Sequence, residues 1–431
     1  MSNKIGFWAV LSIVIGSQIG SGVFMLPAGL APYGAFSMVG WVFSGIGAIS
    51  LGLVFALLCG RFPETGGPHN YVEKAFGPHL SFFTGWTYWI LSWVTTPAVL
   101  VTCVGYLSAF FPTQDKSFYL AIELFLLFAI TLLNTRGITA AGHAEFVLTL
   151  LKFIPLVVIP LCGIYYFDLD NFVQAQQVLD RPLSGKLAQV TLLTLWGFIG
   201  LECATAPAGS VENAKKVIPK AIVIGTSCVA LVYFLNCVGI MGLMPGSELA
   251  LAKAPYVDAT QRIFGGHWHL VISLIAAIIC LGTLNAWVLT SGQIILGFAE
   301  DGYVSSFFAK RNKHDAPHVG LIVSSLGVVP LLFLIADQSL AQQITTIIDI
   351  AVVAFLFVYL ICALSLLKLS SGSLKAIIPS VIGAVFCLWI IYETPLYTLM
   401  ISGLVAMSGV PFYLWWFFRS RGKAKITLAK S

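Results

Sequence analysis

Runs of about 20 apolar residues recur from one end of the chain to the other, and no other feature limits its fold as tightly. Each run is long enough to cross a hydrocarbon core of about 30 Å as a helix, whereas a membrane barrel would show short alternating strands. With 58% hydrophobic and 10% charged residues in 431, the chain is far more apolar than a soluble domain, in which about 25% of residues are charged. The runs predict twelve spans, near residues 7–29, 37–60, 81–111, 118–134, 143–166, 188–210, 219–243, 268–298, 318–336, 343–368, 375–392 and 395–418. The fold class is therefore all-α and integral to a membrane.

The first run starts at Phe7 after a short polar stretch with no small-residue cleavage motif, and it reads as a mature span, not a signal peptide. All nine cysteines fall in or beside apolar runs without a CxxC pair, so they behave as small hydrophobes and imply neither disulfides nor metal. The net charge of +5 is scattered over short loops and offers no face for nucleic acid. With the N-terminus in the cytoplasm, seventeen Lys and Arg residues lie inside, five lie in outer loops, and Lys152 lies within a span. The positive-inside rule then puts both termini in the cytoplasm, with 419–431 a basic tail that anchors the last helix. The seven histidines sit in loops or at span edges and no HExxH or GxSxG motif is present, so the sequence argues against an intramembrane enzyme, and no cofactor is implied.

Two spans carry helix-breaking residues at depth. Span 1 reads IGSQIGSGVFMLPAGLAPYG, with Gly16, Gly20 and Gly22 within seven residues, and an unwound point is expected near Gly20 to Gly22. Span 6 reads LWGFIGLECATAPAGS, with Gly197, Gly200, Glu202 and Pro207 interrupting its middle. Five spans separate the breaks, an odd number of crossings, so the second half enters from the opposite side as an inverted repeat. Spans 1–5 (1–166) and 6–10 (188–368) form the two repeats, with spans 11 and 12 (375–418) added. Unwound backbone at membrane depth needs a buried polar partner, and free N–H and C=O groups at two breaks suit a carboxylate and an ammonium. A zwitterionic amino acid carries both.

Glu202 lies near the centre of span 6, where an ionised carboxylate costs about 2.5–3.5 kcal/mol. It either faces a cavity and responds to protons or a cation, or stays neutral between helices. Lys152, nine residues into span 5, either snorkels or stands in for a coupling cation beside the span 1 break. Glu123 and Asp349, near span ends, read as structural and wet. Trp196 and Trp287 lie mid-span and are candidates for covering a cationic group, whereas Trp41, Trp415 and Trp416 read as interfacial anchors.

The segments GSGVFMLPAGLA, TYWILSWV, VGYLSAFFP, LWGFIGLE, VENAKKVIPKA, SGQ and AEDGYV resemble the amino acid, polyamine and organocation transporter superfamily, from span 1 through span 10. Within it the chain is most similar to bacterial antiporters that exchange arginine for agmatine, lysine for cadaverine or ornithine for putrescine. The resemblance implies a LeuT-like fold in a bacterial inner membrane, a homodimeric assembly, and a small amino acid or polyamine as partner. It also implies that Ser17, Ser21 and Gly22 hold the substrate carboxylate and that the carbonyls of Gln18, Trp196 and Ile199 receive the ammonium. Trp287, Ser92 and Thr96 would line the side-chain end, Tyr88 and Tyr359 the gates, and Glu202 would sense protons. Thr96 and Ala351 stand where the arginine/agmatine pattern has asparagine and serine, which argues against arginine. Lys152 resembles a lysine of proton-coupled relatives. The expected function is exchange of a cationic amino acid for its amine or another amino acid; the alternative is proton symport through Lys152 or Glu202.

Overall fold

The computed structural model describes residues 4–111, 114–173, 183–252, 254–335, 340–370 and 372–428. These residues are almost wholly helical or in short turns, with one parallel bridge between Ile5 and Val211. In chain order the helices are α1 (Phe7–Gln18), α2 (Ser21–Leu30), α3 (Phe36–Arg61), α4 (Pro68–Phe76), α5 (Pro78–Val94), α6 (Thr96–Leu107) and α7 (Lys116–Asn134). There follow α8 (Ile138–Tyr165), α9 (Leu169–Val173), α10 (Leu183–Leu195), α11 (Ala214–Leu243), α12 (Gly246–Leu249), α13 (Pro255–Phe264) and α14 (Trp268–Glu300). The chain closes with α15 (His318–Ile335), α16 (Leu340–Leu369), α17 (Leu374–Glu393), α18 (Leu396–Met407) and α19 (Val410–Leu428). Among the described residues eleven helical stretches are long and apolar enough to cross a membrane, and α1 is a shorter apolar helix of 12 residues. The molecule is a multi-pass membrane protein.

Helix α14 is the axis of the bundle. Its residues are buried almost without interruption from Ala276 to Ala299, and it packs on α1, α5, α6, α7, α8, α13 and α15. Helix α1 sits in the groove between α8, α11 and α14, while α3 lies along α11 and is backed by α10 and α17. Small residues set the closest crossing. A Cβ on Gly239 of α11 would lie 2.7 Å from Pro160 Cα, and one on Gly163 of α8 would lie 2.8 Å from the Gly239 carbonyl oxygen. The two backbones touch there, as close helix pairs in lipid require.

Both ends of the bundle are tied across the chain. Beside the start of α1, Ile5 N–H donates to the Ser210 carbonyl at 3.0 Å and Glu212 N–H to the Ile5 carbonyl at 3.0 Å. On α4, the fully buried His69 meets Asp301, just past α14, at 2.8 Å. At the other end α13 lays Tyr256 edge-on against Phe24 of α2, with ring centroids 4.8 Å apart, and its hydroxyl bonds Asn236 of α11.

Several expectations change. The third run divides at Thr95, because Pro97 has no N–H with which to continue the α5 ladder. The short helices α4 and α13 lie in segments read as loops. Trp41 is no interfacial anchor: it is 4% exposed and packs on Phe198 and Tyr233. Glu123 is buried, not wet, because α7 turns it inward. The tail continues as helix to Leu428, while the side chain of Asp349 lies outside the described residues.

Gly239→Val should lower the thermal midpoint in detergent, at a cost of about 1–3 kcal/mol for an overpacked contact. Gly403→Ala, where a Cβ meets nothing within 4 Å, should leave it unchanged.

Candidate functional site

The first run is helical to Gln18, extended at Ile19 and Gly20, and helical again from Ser21. Gly22, expected at the break, instead lies in the first turn of α2, where a Cβ would come 2.8 Å from Trp196 Cδ1. In the sixth run α10 ends at Leu195, and beyond it come only single 3₁₀ turns at 196–198, 203–205 and 208–210. Gly200 has φ +105°, and a Cβ there would lie 2.9 Å from Ser17 Cβ, so only glycine fits this turn. Pro207 withholds another donor from any helical ladder.

Side chains from four other helices take up backbone groups freed at the breaks. Lys152 of α8 donates to the carbonyls of Gly16 at 2.7 Å and Ile19 at 3.0 Å. The Thr283 hydroxyl of α14 donates to the Ile19 carbonyl at 2.6 Å. Tyr233 of α11 donates to the Gln18 carbonyl at 2.7 Å, and Gly200 N–H reaches the Tyr359 hydroxyl of α16 at 3.5 Å. Within the pair, Ser17 donates to the Gly200 carbonyl at 2.8 Å and so joins one break to the other.

Between the breaks lies a constricted cavity of about 20 Å³, room for about one water molecule and well below the volume of an open metabolite pocket. Ser17, Gln18, Gly20, Gly22, Trp196 and Ile199 come from the breaks, Thr95 and Val99 from the kink between α5 and α6, and Thr283 and Trp287 from one face of α14. No lining side chain is more than 9% exposed, and none is charged. On one side Phe24, Tyr106 and Tyr256 pack edge to face. On the other, Tyr359 donates to Glu202 Oε2 at 2.5 Å, and Tyr88 is fully buried.

Of the residues singled out in the sequence, Ser17, Gln18, Gly22, Trp196, Ile199 and Trp287 meet at the cavity. The side chain of Ser21 lies outside the described residues. Ser92 and Thr96 do not line the cavity: Ser92 donates to the Trp89 carbonyl at 2.6 Å, and the kink presents Thr95 and Val99 in their place. Lys152 does not snorkel, since it is fully buried with its ammonium on the first break. The Gln18 carbonyl already accepts from Tyr233.

Thr283 escaped the sequence reading although it stands four residues before Trp287, on the same helix face. Glu145 also escaped it. Seven residues before Lys152, it is fully buried, with Oε1 3.7 Å from the ammonium. Its Oε2 accepts from Asn285 Nδ2 at 2.8 Å and its Oε1 from Thr149 at 3.3 Å. A two-turn spacing of opposite charges was the available signal.

An uncharged, buried chamber at interrupted helices of a multi-pass bundle fits a carrier of small solutes. The match to the amino acid permease family over residues 5–418 shows that the chain belongs to it. The protein is therefore an amino acid or polyamine transporter of the amino acid, polyamine and organocation superfamily, not an enzyme. It is 28% identical to the cadaverine/lysine antiporter of Escherichia coli over 421 residues, 96% of this chain and 95% of the relative. It is 30% identical to the putrescine transporter PotE of Haemophilus influenzae over 421 residues, covering 96% and 97%. A putative arginine/ornithine antiporter of Bacillus subtilis matches at 28% over 399 residues, covering 85% and 84%.

Thr283→Val removes the hydroxyl that bonds Ile19 while keeping the side-chain shape. Substrate binding, followed by tryptophan fluorescence, should weaken about tenfold, the equivalent of one lost buried hydrogen bond of about 1.4 kcal/mol.

Proposed function

We propose that the protein is an alternating-access antiporter that exchanges an amino acid, cationic by preference, for its decarboxylated amine or another amino acid across a bacterial inner membrane. The observation that carries this is the chamber between the two breaks. The orphan N–H groups opening α2 suit a carboxylate, and the carbonyl of Ile199 suits an ammonium. Trp196 and Trp287 offer faces to a second cationic group, each worth about 0.5–2 kcal/mol. Ser17, Gln18, Gly22 and the backbone of Ser21 would then frame the α-amino acid end, with Thr95 and Val99 at the side-chain end. The antiporter relatives support exchange over one-way flow.

In this reading α1 and α2 together make the first of twelve spans, residues 1–166 and 188–368 are inverted repeats, and 375–418 adds two spans. Both termini face the cytoplasm, and a homodimer in lipid is the working assembly. Tyr359 and Glu202 close the inner side, and Phe24 with Tyr256 closes the outer. A proton-coupled symporter is the second reading. It is favoured by Lys152, whose ammonium sits where a coupling cation would hold the α1 break.

Labelled lysine, ornithine, arginine and leucine should be offered to proteoliposomes that are empty or loaded with cadaverine or putrescine. The antiporter reading expects uptake of a cationic amino acid only into loaded vesicles. Uptake into empty vesicles driven by outside acid would instead establish symport, and uptake of leucine alone would remove the cationic preference.

A further inference from the structure

Among the described residues Lys152 and Glu145 are the one ion pair with both partners fully buried. They stand two turns apart on one face of α8, so their 3.7 Å separation belongs to a single rigid helix. The other acceptors of the ammonium come from elsewhere: the Gly16 and Ile19 carbonyls from the α1 break, and the Thr283 hydroxyl of α14 at 3.2 Å. Those three acceptors match the three donors of a charged lysine, and the Thr283 hydroxyl, which gives its own proton to the Ile19 carbonyl at 2.6 Å, offers the amine a lone pair. The carboxylate is fixed by Asn285 and Thr149, and Asn285 is in turn held by the Ala141 carbonyl at 3.1 Å and by Asn134 of α7 at 3.0 Å. A Cβ on Gly16 would fall 1.7 Å from Glu145 Oε1, so α1 closes directly over this carboxylate.

We propose that Glu145 is a positioning residue that keeps Lys152 charged throughout the transport cycle, making the Lys152 ammonium a fixed cation on which the α1 break docks and not a proton carrier. The inference rests on the alternating-access reading. When α1 withdraws, Lys152 loses two carbonyls that belong to another helix, but it keeps a carboxylate that shares its own. A counter-charge at that distance holds the ammonium charged in a dry setting. No competing group intervenes. The Cys280 thiol of α14 is the other titratable group that interacts with the ammonium. Helix α1 has no ionisable side chain, and α7, α11 and α13 bring none to the pair among the described residues. The pair therefore contributes no proton to the transported stoichiometry, which favours exchange over symport.

The test compares exchange rate and substrate binding between about pH 6 and 9 for wild type, Glu145→Gln and the double variant E145Q/K152Q. In Glu145→Gln the buried lysine loses its counter-charge, so both readouts should fall by up to about tenfold per pH unit at the alkaline end, a limb absent from wild type. A profile superimposed on wild type overturns the proposal. Glu145→Gln can fail to fold, so the double variant, which removes both charges, is read in parallel. If the pair never titrates, the double variant keeps the wild-type profile at a lower rate. A wild-type limb that vanishes in it would show that the pair itself titrates and would equally overturn the proposal. Wild-type protein that binds substrate but needs no counter-substrate for flux refutes antiport instead, and the binding profile then still decides the role of Glu145.

Discussion

Backbone groups that leave a helix inside a membrane must find partners within the protein, and everything at the centre of this molecule answers to that demand. The chain stops being helical at Ile19 and Gly20 and again from Ile199 to Glu202. The groups freed there are met by Lys152 on α8, Tyr233 on α11, Thr283 on α14 and Tyr359 on α16. Four helices are thus tied to a few residues of backbone. A change in what those residues bind is transmitted to all four at once, which is the mechanical property a carrier needs and an ordinary helix bundle lacks.

The breaks and the spans were legible because glycine clusters and apolar runs act locally, through conformational freedom and transfer into lipid. What decides which side chain meets the break is three-dimensional. Thr283 carries no unusual local signal and Glu145 only its two-turn spacing from Lys152, and each matters because α14 and α8 place it against α1. With α5 ending at Val94 and α6 restarting at Thr96, the chamber is lined by Thr95 and Val99 and not by Ser92 or Thr96. Trp41 was misplaced for the reason that defeats most single-residue arguments. Tryptophan is common at interfaces, but here the packing of α3 on α11 sets the ring against Tyr233 and Phe198 inside the bundle.

The chamber holds no charged side chain, although relatives in sequence include a cadaverine/lysine antiporter and a putative arginine/ornithine antiporter. A fixed carboxylate in the lining would bind an amine tightly and release it slowly. Two indole faces attract a cation more weakly and need no proton or counter-ion when the chamber is empty. Backbone ends behave in the same way, since their partial charges do not titrate. Such a lining favours turnover, as substrate binding must be strong enough to select but weak enough to reverse.

Two fully buried carboxylates, Glu202 and Glu145, lie outside that lining, and their attachments differ in a way that assigns them different duties under the antiport reading. Glu202 sits on the unwound stretch after α10 and is bonded by Tyr359 of α16, so its partner lies on another element and the bond is free to break as the inner side opens. Glu145 shares α8 with Lys152, and no rigid movement of one helix against another changes their separation. A group whose partner is lost during the cycle is exposed to a changing environment and hence to changing protonation, whereas a group paired within its own helix is not. Under that reading pH sensitivity of transport would arise at Glu202, and the α8 pair would be the constant against which the α1 break moves.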